Sequence, residues 1–187
     1  EASAPINVAI SIGMYCADKA KGPFANHFMT FESVPHFMEV EGVDFCDKVK
    51  RISSAPWGGS TNIESAFDLM LKTAIKNGCS QDEIPENLII ISDMEFNSCV
   101  RCGSYGIVGN TLMEKIEKEW NAYGYKMPNL IFWNVDARQN NIPMTVKDGI
   151  SFVSGMSPTI FETILSGKTG YDLMMEKLNT ERYACIK

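Results

Sequence analysis

The chain has 187 residues, of which 45% are hydrophobic and 21% are charged, and its formal net charge is −6. This length is typical of one domain, so we expect a single domain over residues 1–187. The acidic charge argues against direct nucleic-acid binding, because a phosphate backbone is usually bound by a basic face. No apolar run approaches the roughly 20 residues of a membrane-spanning helix, so the sequence predicts a soluble protein without a membrane partner.

The six cysteines are scattered along the chain, apart from Cys99 and Cys102, which form a CxxC pair. A chain of this size does not depend on disulfide bonds for its stability, so we expect reduced thiols and a cytoplasmic location. The CxxC pair has two alternative interpretations, half of a zinc site or a redox pair. Zinc needs about four ligands, and no second pair or nearby histidine is evident, which favours ordinary loop thiols.

The first part of the chain predicts a helix, two strands and a second helix. Apolar residues at spacings of three and four, with proline at the first helical position, predict a helix over Pro5–Ala20. Alternating apolar residues leave a strand over Ile6–Ile12 as the alternative. The segments Asn26–Ser33 and His36–Glu41 are typical of strands joined by a tight turn, and a helix is predicted over Asp44–Ser53.

A flexible glycine-containing loop leads into the clearest helix of the sequence, "WGGSTNIESAFDLML". Thr61 and Glu64 have the spacing of a capping box, and Gly78 is placed to end the helix. One stripe of this helix is apolar and is expected to face the core, namely Ile63, Phe67, Met70, Leu71 and Ala74.

The remaining chain alternates short apolar strands with helices. The predicted buried strands are Asn87–Ser92, Asn129–Val135 and Gly149–Gly155. The predicted helices are Thr111–Gly124, which is amphipathic, and two near the end of the chain, Pro158–Leu165 and Tyr171–Asn179. This alternation predicts an α/β fold, a doubly wound and mostly parallel sheet with helices on both faces.

Ligands of such sheets bind beyond the carboxyl ends of the strands, which makes the polar residues there the functional candidates. These residues are Glu32, Ser33, Ser92, Asp93, Glu95, Asn134, Asp136 and Ser154. Asp93 directly follows a buried strand, where its charge needs a cation or several hydrogen bonds. Thr61 offers a hydroxyl oxygen beside the same edge, and a hydroxyl with a carboxylate suits Mg²⁺.

The residues alone leave metal binding and a structural role equally open for these two side chains. Thr61 has the alternative of capping its helix, and Asp93 of capping a following turn. Glu95 and Asp136 have two readings each, a contact near the metal or an ordinary exposed position.

The ordered set "WGGSTNIESAFDLML", "NLIIISDMEF", "NLIFWNVDAR" and "GISFVSGMSP" resembles the von Willebrand factor A-like domain of a family related to the Ro (TROVE) RNA-binding autoantigen. The similarity covers most of the chain, including "GPFANHFMTFES" and "YDLMMEKLNTERYA". The resemblance implies a Rossmann-like sheet with a metal-ion-dependent adhesion site. By position, the ligands that it implies here are Thr61 and Asp93, for Mg²⁺ or Mn²⁺. Supporting groups around them are Ser60, Ser92, Glu95 and Asp136.

The chain departs from this family in one respect, since no Asp-x-Ser-x-Ser motif occurs in it. In the family that motif follows the first, central strand, so we expect both to lie upstream of Glu1. An upstream segment or a partner is then expected to supply the strand. With two of the usual five ligand groups present, metal binding by this chain is expected to be weak.

The resemblance implies a binding module and not an enzyme. An acidic side chain of a partner protein would complete the coordination of the metal, in a ribonucleoprotein context by analogy with the Ro relatives. One alternative is a magnesium-dependent hydrolase or phosphoryl-transfer enzyme that uses Asp93 and Glu95. The sequence shows no phosphate-binding loop or nucleophile–base pair for it. A second alternative is a scaffold domain with a degenerate metal site.

Overall fold

The computed structural model describes residues 5–30, 34–55, 62–92, 108–135, 144–147, 150–155, 161 and 170–183. Within these ranges the helices are α1 (Pro5–Lys19), α2 (Phe45–Ser53), α3 (Ile63–Asn77), α4 (Val108–Ala122) and α5 (Gly170–Leu178). The strands of the same ranges are β1 (His27–Thr30), β2 (His36–Glu39), β3 (Asn87–Ser92), β4 (Asn129–Asn134), β5 (Met144–Lys147) and β6 (Ile150–Ser154).

Four strands form one sheet in the order β3-β4-β6-β5. β3, β4 and β6 are parallel, and β5 pairs antiparallel with β6. β1 and β2 form a separate antiparallel hairpin. Helices alternating with a mainly parallel sheet confirm the predicted α/β class. The sequence did not predict β5, because four residues are too few to show a clear apolar alternation.

One face of the sheet packs against α3 and α4. Leu88, Leu130 and Phe132 belong to a buried cluster that also contains Phe67 of α3 and Trp120 of α4. The rings of these two helical residues meet edge to face, with centroids 6.3 Å apart. The predicted apolar stripe of α3 is therefore the side of the helix that faces this core.

The opposite face of the sheet is covered by α1. Ile131, Trp133 and Val153 are buried there, and Val8 and Ile12 of α1 pack against their cluster. Alternate residues of β4 thus serve two different cores, which explains the continuous apolar run of that strand.

α1 and α3 also pack on the two sides of the hairpin. Ile10 of α1 shares a third buried cluster with Val40, and Phe28 of β1 packs against it. Met29 and Phe37, on the other side of the hairpin, pack against the cluster that contains the buried residues of α3. The hairpin and the parallel sheet therefore both lie between α1 and α3.

Most helix ends follow the signals in the sequence. α1 begins at Pro5 as predicted, so the alternative of a strand over Ile6–Ile12 is wrong. The side chain of Asp44 caps α2 by accepting a hydrogen bond from the backbone of Asp47 at 2.8 Å. Gly78 ends α3 at a φ of +61°, a left-handed conformation that glycine adopts without strain.

Other boundaries differ from the prediction. α4 begins at Val108, three residues before the predicted start at Thr111. The predicted helix Pro158–Leu165 lies outside the described residues, apart from Phe161. Among the described residues, none of the helices combines the length and the apolar character that crossing a membrane requires.

Candidate functional site

Three strands end side by side at one edge of the sheet, which we call the carboxyl edge. Ser92 of β3 pairs in register with Asn134 of β4, and Asn134 pairs with Ser154 of β6. Parallel strands that end in register present the residues that follow them to one shared region. The sheet therefore brings three of the predicted strand-end candidates together.

α3 packs on the sheet, and contacts at its end indicate where it begins. The phenol of Tyr125 donates a hydrogen bond to the carbonyl of Cys79 at 2.9 Å, just after α3 ends. The amide of Gln81 also bonds the backbone of Lys126, accepting from its N–H at 2.8 Å. These contacts place the end of α3 beside the segment entering β4. A 15-residue helix and a six-residue strand are both about 20 Å long, so we infer that α3 runs back along the sheet and starts towards the carboxyl edge.

Asn62, and not Thr61, caps the start of α3. Its side-chain oxygen accepts a hydrogen bond from the backbone N–H of Ser65 at 3.0 Å. Glu64 pairs with Lys115 of α4 at 2.6 Å, and this contact raises the pKa of the lysine. The predicted capping box of Thr61 with Glu64 is therefore wrong, because a neighbouring side chain already takes the capping position.

The carboxyl edge also holds a contact that the sequence analysis did not predict. The backbone N–H of Gly155 donates to the carbonyl of Asn134 at 2.9 Å. The carbonyl of Gly155 accepts a hydrogen bond from the indole Nε1 of Trp133 at 2.7 Å. Gly155 has a φ of +115°, which favours glycine. Both backbone groups of Gly155 are thus held by the end of β4.

Two polar side chains are almost completely buried where strands end. Asn134 is 2% exposed at the end of β4, and Thr30 is 1% exposed at the end of β1. The hydroxyl of Thr30 lies 3.4 Å from Nε2 of the exposed His36. Buried polar side chains in proteins are generally hydrogen-bonded, and among the described residues no buried side-chain nitrogen or oxygen lacks a partner.

Residues 1–184 match the family described as "Domain of unknown function (DUF7788)". The chain belongs to this family. Among relatives, "Uncharacterized protein L728" of Acanthamoeba polyphaga mimivirus is 31% identical over 166 residues, covering 88% of this chain. The DUF7788 chain spans about 28% of the length of that viral protein. No solved structure matches the chain.

Most of the predicted site residues of the DUF7788 chain fall outside the described residues. Of the predicted metal ligands and supporting groups, those outside are Ser60, Thr61, Asp93, Glu95 and Asp136. Glu32, Ser33 and the pair Cys99 and Cys102 also lie outside. Ser92 is described as the last residue of β3. Within the described ranges no three His, Cys, Asp or Glu side chains come together as a metal-binding group.

Each of the two predicted ligands nevertheless has one described neighbour in the sequence. Thr61 directly precedes Asn62, the cap of α3, and Asp93 directly follows Ser92, the end of β3. Ser92 belongs to the carboxyl edge, and Asn62 marks the start of α3, which we infer to lie towards that edge. Each predicted ligand is therefore adjacent in the sequence to a described residue.

Proposed function

We propose that this DUF7788 domain is a metal-ion-dependent protein-binding module with a von Willebrand A-type, doubly wound sheet. The observation that carries the proposal is the register of Ser92, Asn134 and Ser154 at the carboxyl edge, and the inferred start of α3 near that edge adds to it. Thr61 and Asp93 are the proposed ligands of Mg²⁺ or Mn²⁺. Ser60, Ser92, Glu95 and Asp136 are proposed to support them.

The donor chemistry supports this assignment. A threonine hydroxyl and an aspartate carboxylate are hard oxygen ligands, which Mg²⁺ prefers over nitrogen or sulfur. The alternative role of Thr61 as a helix cap is removed, because Asn62 fills that position. A bound ion would supply positive charge at the edge and leave coordination positions for another molecule.

The proposed partner is a protein that offers an acidic side chain. A metal ion with few protein ligands attracts a carboxylate, and the start of a helix also favours negative charge through its unpaired N–H groups. α3 begins at this edge, so both effects would act on the same incoming group. A ribonucleoprotein context is part of the proposal by family resemblance alone.

The arrangement of the two sheets supports a further element of the proposal, a strand between β1 and β3. Among the described residues β1 pairs only with β2, and β3 pairs only with β4. α1 packs on one side of both the hairpin and the sheet, and α3 packs on the other side of both. Two strands in one layer with facing unpaired edges leave a place for one more strand.

The direction of α1 indicates how that strand would run. Val8 packs against the cluster of Trp133 and Val135, near the carboxyl edge. At the other end, the carbonyl of Ala17 accepts a hydrogen bond from Asn26, which directly precedes β1, at 2.8 Å. α1 therefore runs opposite to β1, as does the helix that connects two parallel strands. We propose that an upstream segment or a partner supplies a strand parallel to β1.

Calorimetric titration with Mg²⁺ tests the metal site. The unmodified chain should bind weakly, because only two ligands are proposed, and Asp93→Asn should abolish the signal. Asp82→Asn is the matched control, since this carboxylate follows α3 at the far end of the sheet. Tight binding by the unmodified chain would contradict a site with only two ligands. Equal binding by Asp93→Asn would show that Asp93 is not a ligand. Phosphatase activity in the unmodified protein that is lost in Asp93→Asn would favour the alternative function, a magnesium-dependent hydrolase or phosphoryl-transfer enzyme.

Amide hydrogen exchange of β3 tests the proposed strand. Alternate residues of a strand direct their N–H groups to opposite edges, so amides facing β4 should exchange slowly and the others fast. A longer polypeptide or a complex that contributes the strand should protect the second set. Uniform slow exchange of all six β3 residues in this chain alone would contradict an open edge.

A further inference from the structure

An aromatic contact chain connects α1 to the carboxyl edge. The ring of Trp133 stacks on Phe161, with centroids 5.8 Å apart and an interplanar angle of 19°. Phe161 meets Tyr15 of α1 edge to face at 5.2 Å. Lys19 places its ammonium group 5.6 Å from the ring of Tyr15. One buried tryptophan thus contacts the chain beyond β6, which in turn contacts α1.

The same tryptophan holds the chain at the point where it leaves β6. Its indole N–H donates to the carbonyl of Gly155 at 2.7 Å, while the N–H of Gly155 is bonded to Asn134. Trp133 is 1% exposed and Gly155 is half-buried, so loss of this hydrogen bond would leave a partly buried carbonyl without its protein partner. The ring of Trp133 accounts for its packing, and the indole N–H adds a hydrogen bond that an apolar ring could not make.

We infer that Trp133 is a positioning residue for the carboxyl edge. Its ring is anchored between the sheet and Phe161, and its N–H fixes the backbone of Gly155 directly after Ser154. The part of the inference that concerns ligand binding rests on the proposed function. Trp133 is not one of the proposed ligands of the ion.

Trp133→Phe tests the inference, because it keeps an aromatic ring and removes the hydrogen-bond donor. The N–H of Gly155 stays bonded to Asn134, but its backbone loses the hydrogen bond at the carbonyl that also holds it. Opening of this N–H should therefore become roughly three- to tenfold more frequent, and its exchange with solvent faster by the same factor. Trp120→Phe is the matched control, a tryptophan of equal burial in the core on the other face of the sheet. Unchanged exchange at Gly155 in Trp133→Phe, or equal acceleration in the control, would overturn the inference.

Gly155→Ala is a second variant, which disturbs the same contact without changing the tryptophan. A Cβ at a φ of +115° is strained, so the backbone should shift and the amide of Gly155 should again exchange faster. This variant keeps the test decisive if Trp133→Phe does not fold. Slow, unchanged exchange at residue 155 in this variant would count against the positioning role.

The Mg²⁺ titration separates this inference from the proposed function. If the unmodified chain binds Mg²⁺, Trp133→Phe should weaken binding several-fold more than Trp120→Phe, and equal affinities would overturn a role at the site. If the unmodified chain takes up no Mg²⁺, the proposed metal site fails. The exchange rate of Gly155 then still decides whether Trp133 positions the edge.

Discussion

The side chain of Asn62 accepts a hydrogen bond from the backbone N–H of Ser65 at 3.0 Å, and this contact defines the start of α3. It also separates two roles that the sequence left combined in Thr61. The residue that caps the helix and the residue proposed to bind the metal are neighbours and can be tested independently.

Asn62→Ala should lower the free energy of unfolding by about 1 kcal/mol, because it removes one N-cap acceptor. Urea denaturation monitored by circular dichroism measures the change, and Asn62→Asp should restore most of the loss. Thr61→Ala should alter stability by less than about 0.5 kcal/mol while weakening Mg²⁺ binding. A larger loss in Thr61→Ala than in Asn62→Ala would show that the cap has been misassigned.

Two glycine substitutions should act in opposite directions. Gly13→Ala lies inside α1 with open space around the added Cβ, so it should raise stability by about 0.5–1 kcal/mol. Gly78→Ala also meets no atom, but its φ of +61° strains alanine, so it should cost about 1 kcal/mol. Thermal unfolding of both variants checks the signs. Equal effects would indicate that backbone conformation does not decide the outcome.

Phe67→Ala should be among the most destabilising single changes in the chain. This residue is 0% exposed and contacts Trp120, so truncation leaves a cavity and should cost about 3–5 kcal/mol. Phe45→Ala is the matched control, because Phe45 is 67% exposed and should change stability by about 0.5 kcal/mol or less. The midpoints of urea unfolding compare the two, and similar losses would contradict the assigned core.

Stability should fall as the pH rises from about 9 to about 11, in part because of Cys16. Burial raises the pKa of this thiol from 9.0 to about 11, so the unfolded chain releases the proton at a lower pH than the folded chain. The stabilising contribution is complete below pH 9 and is lost as the pH approaches 11.

Cys16→Ala isolates this contribution from the other groups that titrate at high pH. The variant should lose less unfolding free energy than the unmodified chain between pH 8.5 and 10.5, by at most about 2–3 kcal/mol. Urea unfolding at a series of pH values provides the comparison. Parallel curves for the two proteins would show that Cys16 ionises normally in the folded state.

Local sequence was sufficient to predict most helices and strands. The isoleucine run before Ser92 predicted a buried strand, and Gly78 predicted the end of α3, because such patterns depend on neighbouring residues alone. The short strand β5 and the early start of α4 at Val108 were not predictable in this way. β5 is only four residues long and forms by pairing with β6, and neither feature appears in the apolar periodicity of its own segment.

The candidate site was likewise only partly predictable from the sequence. The types of residue that follow the strands, above all Asp93, could be read from the sequence and suggest oxygen ligation of a cation. The contact between Trp133 and Gly155 joins residues 22 positions apart, and nothing in either local pattern indicates it. A tryptophan in an apolar strand is interpreted as a core residue, because its hydrogen-bond partner follows a different strand, β6, and is not visible in the local sequence.

By itself the sequence determined the α/β class, the apolar faces and the chemical character of the strand ends, since these follow from side-chain type and spacing. Only the tertiary structure decided that Ser92, Asn134 and Ser154 end in register and that the end of α3 lies beside the segment entering β4. It also decided that, among the described residues, the strands of the hairpin do not pair with the strands of the parallel sheet, although both lie between α1 and α3. Strand order and register depend on which distant segments pack together, and a single strand contains no record of its neighbour.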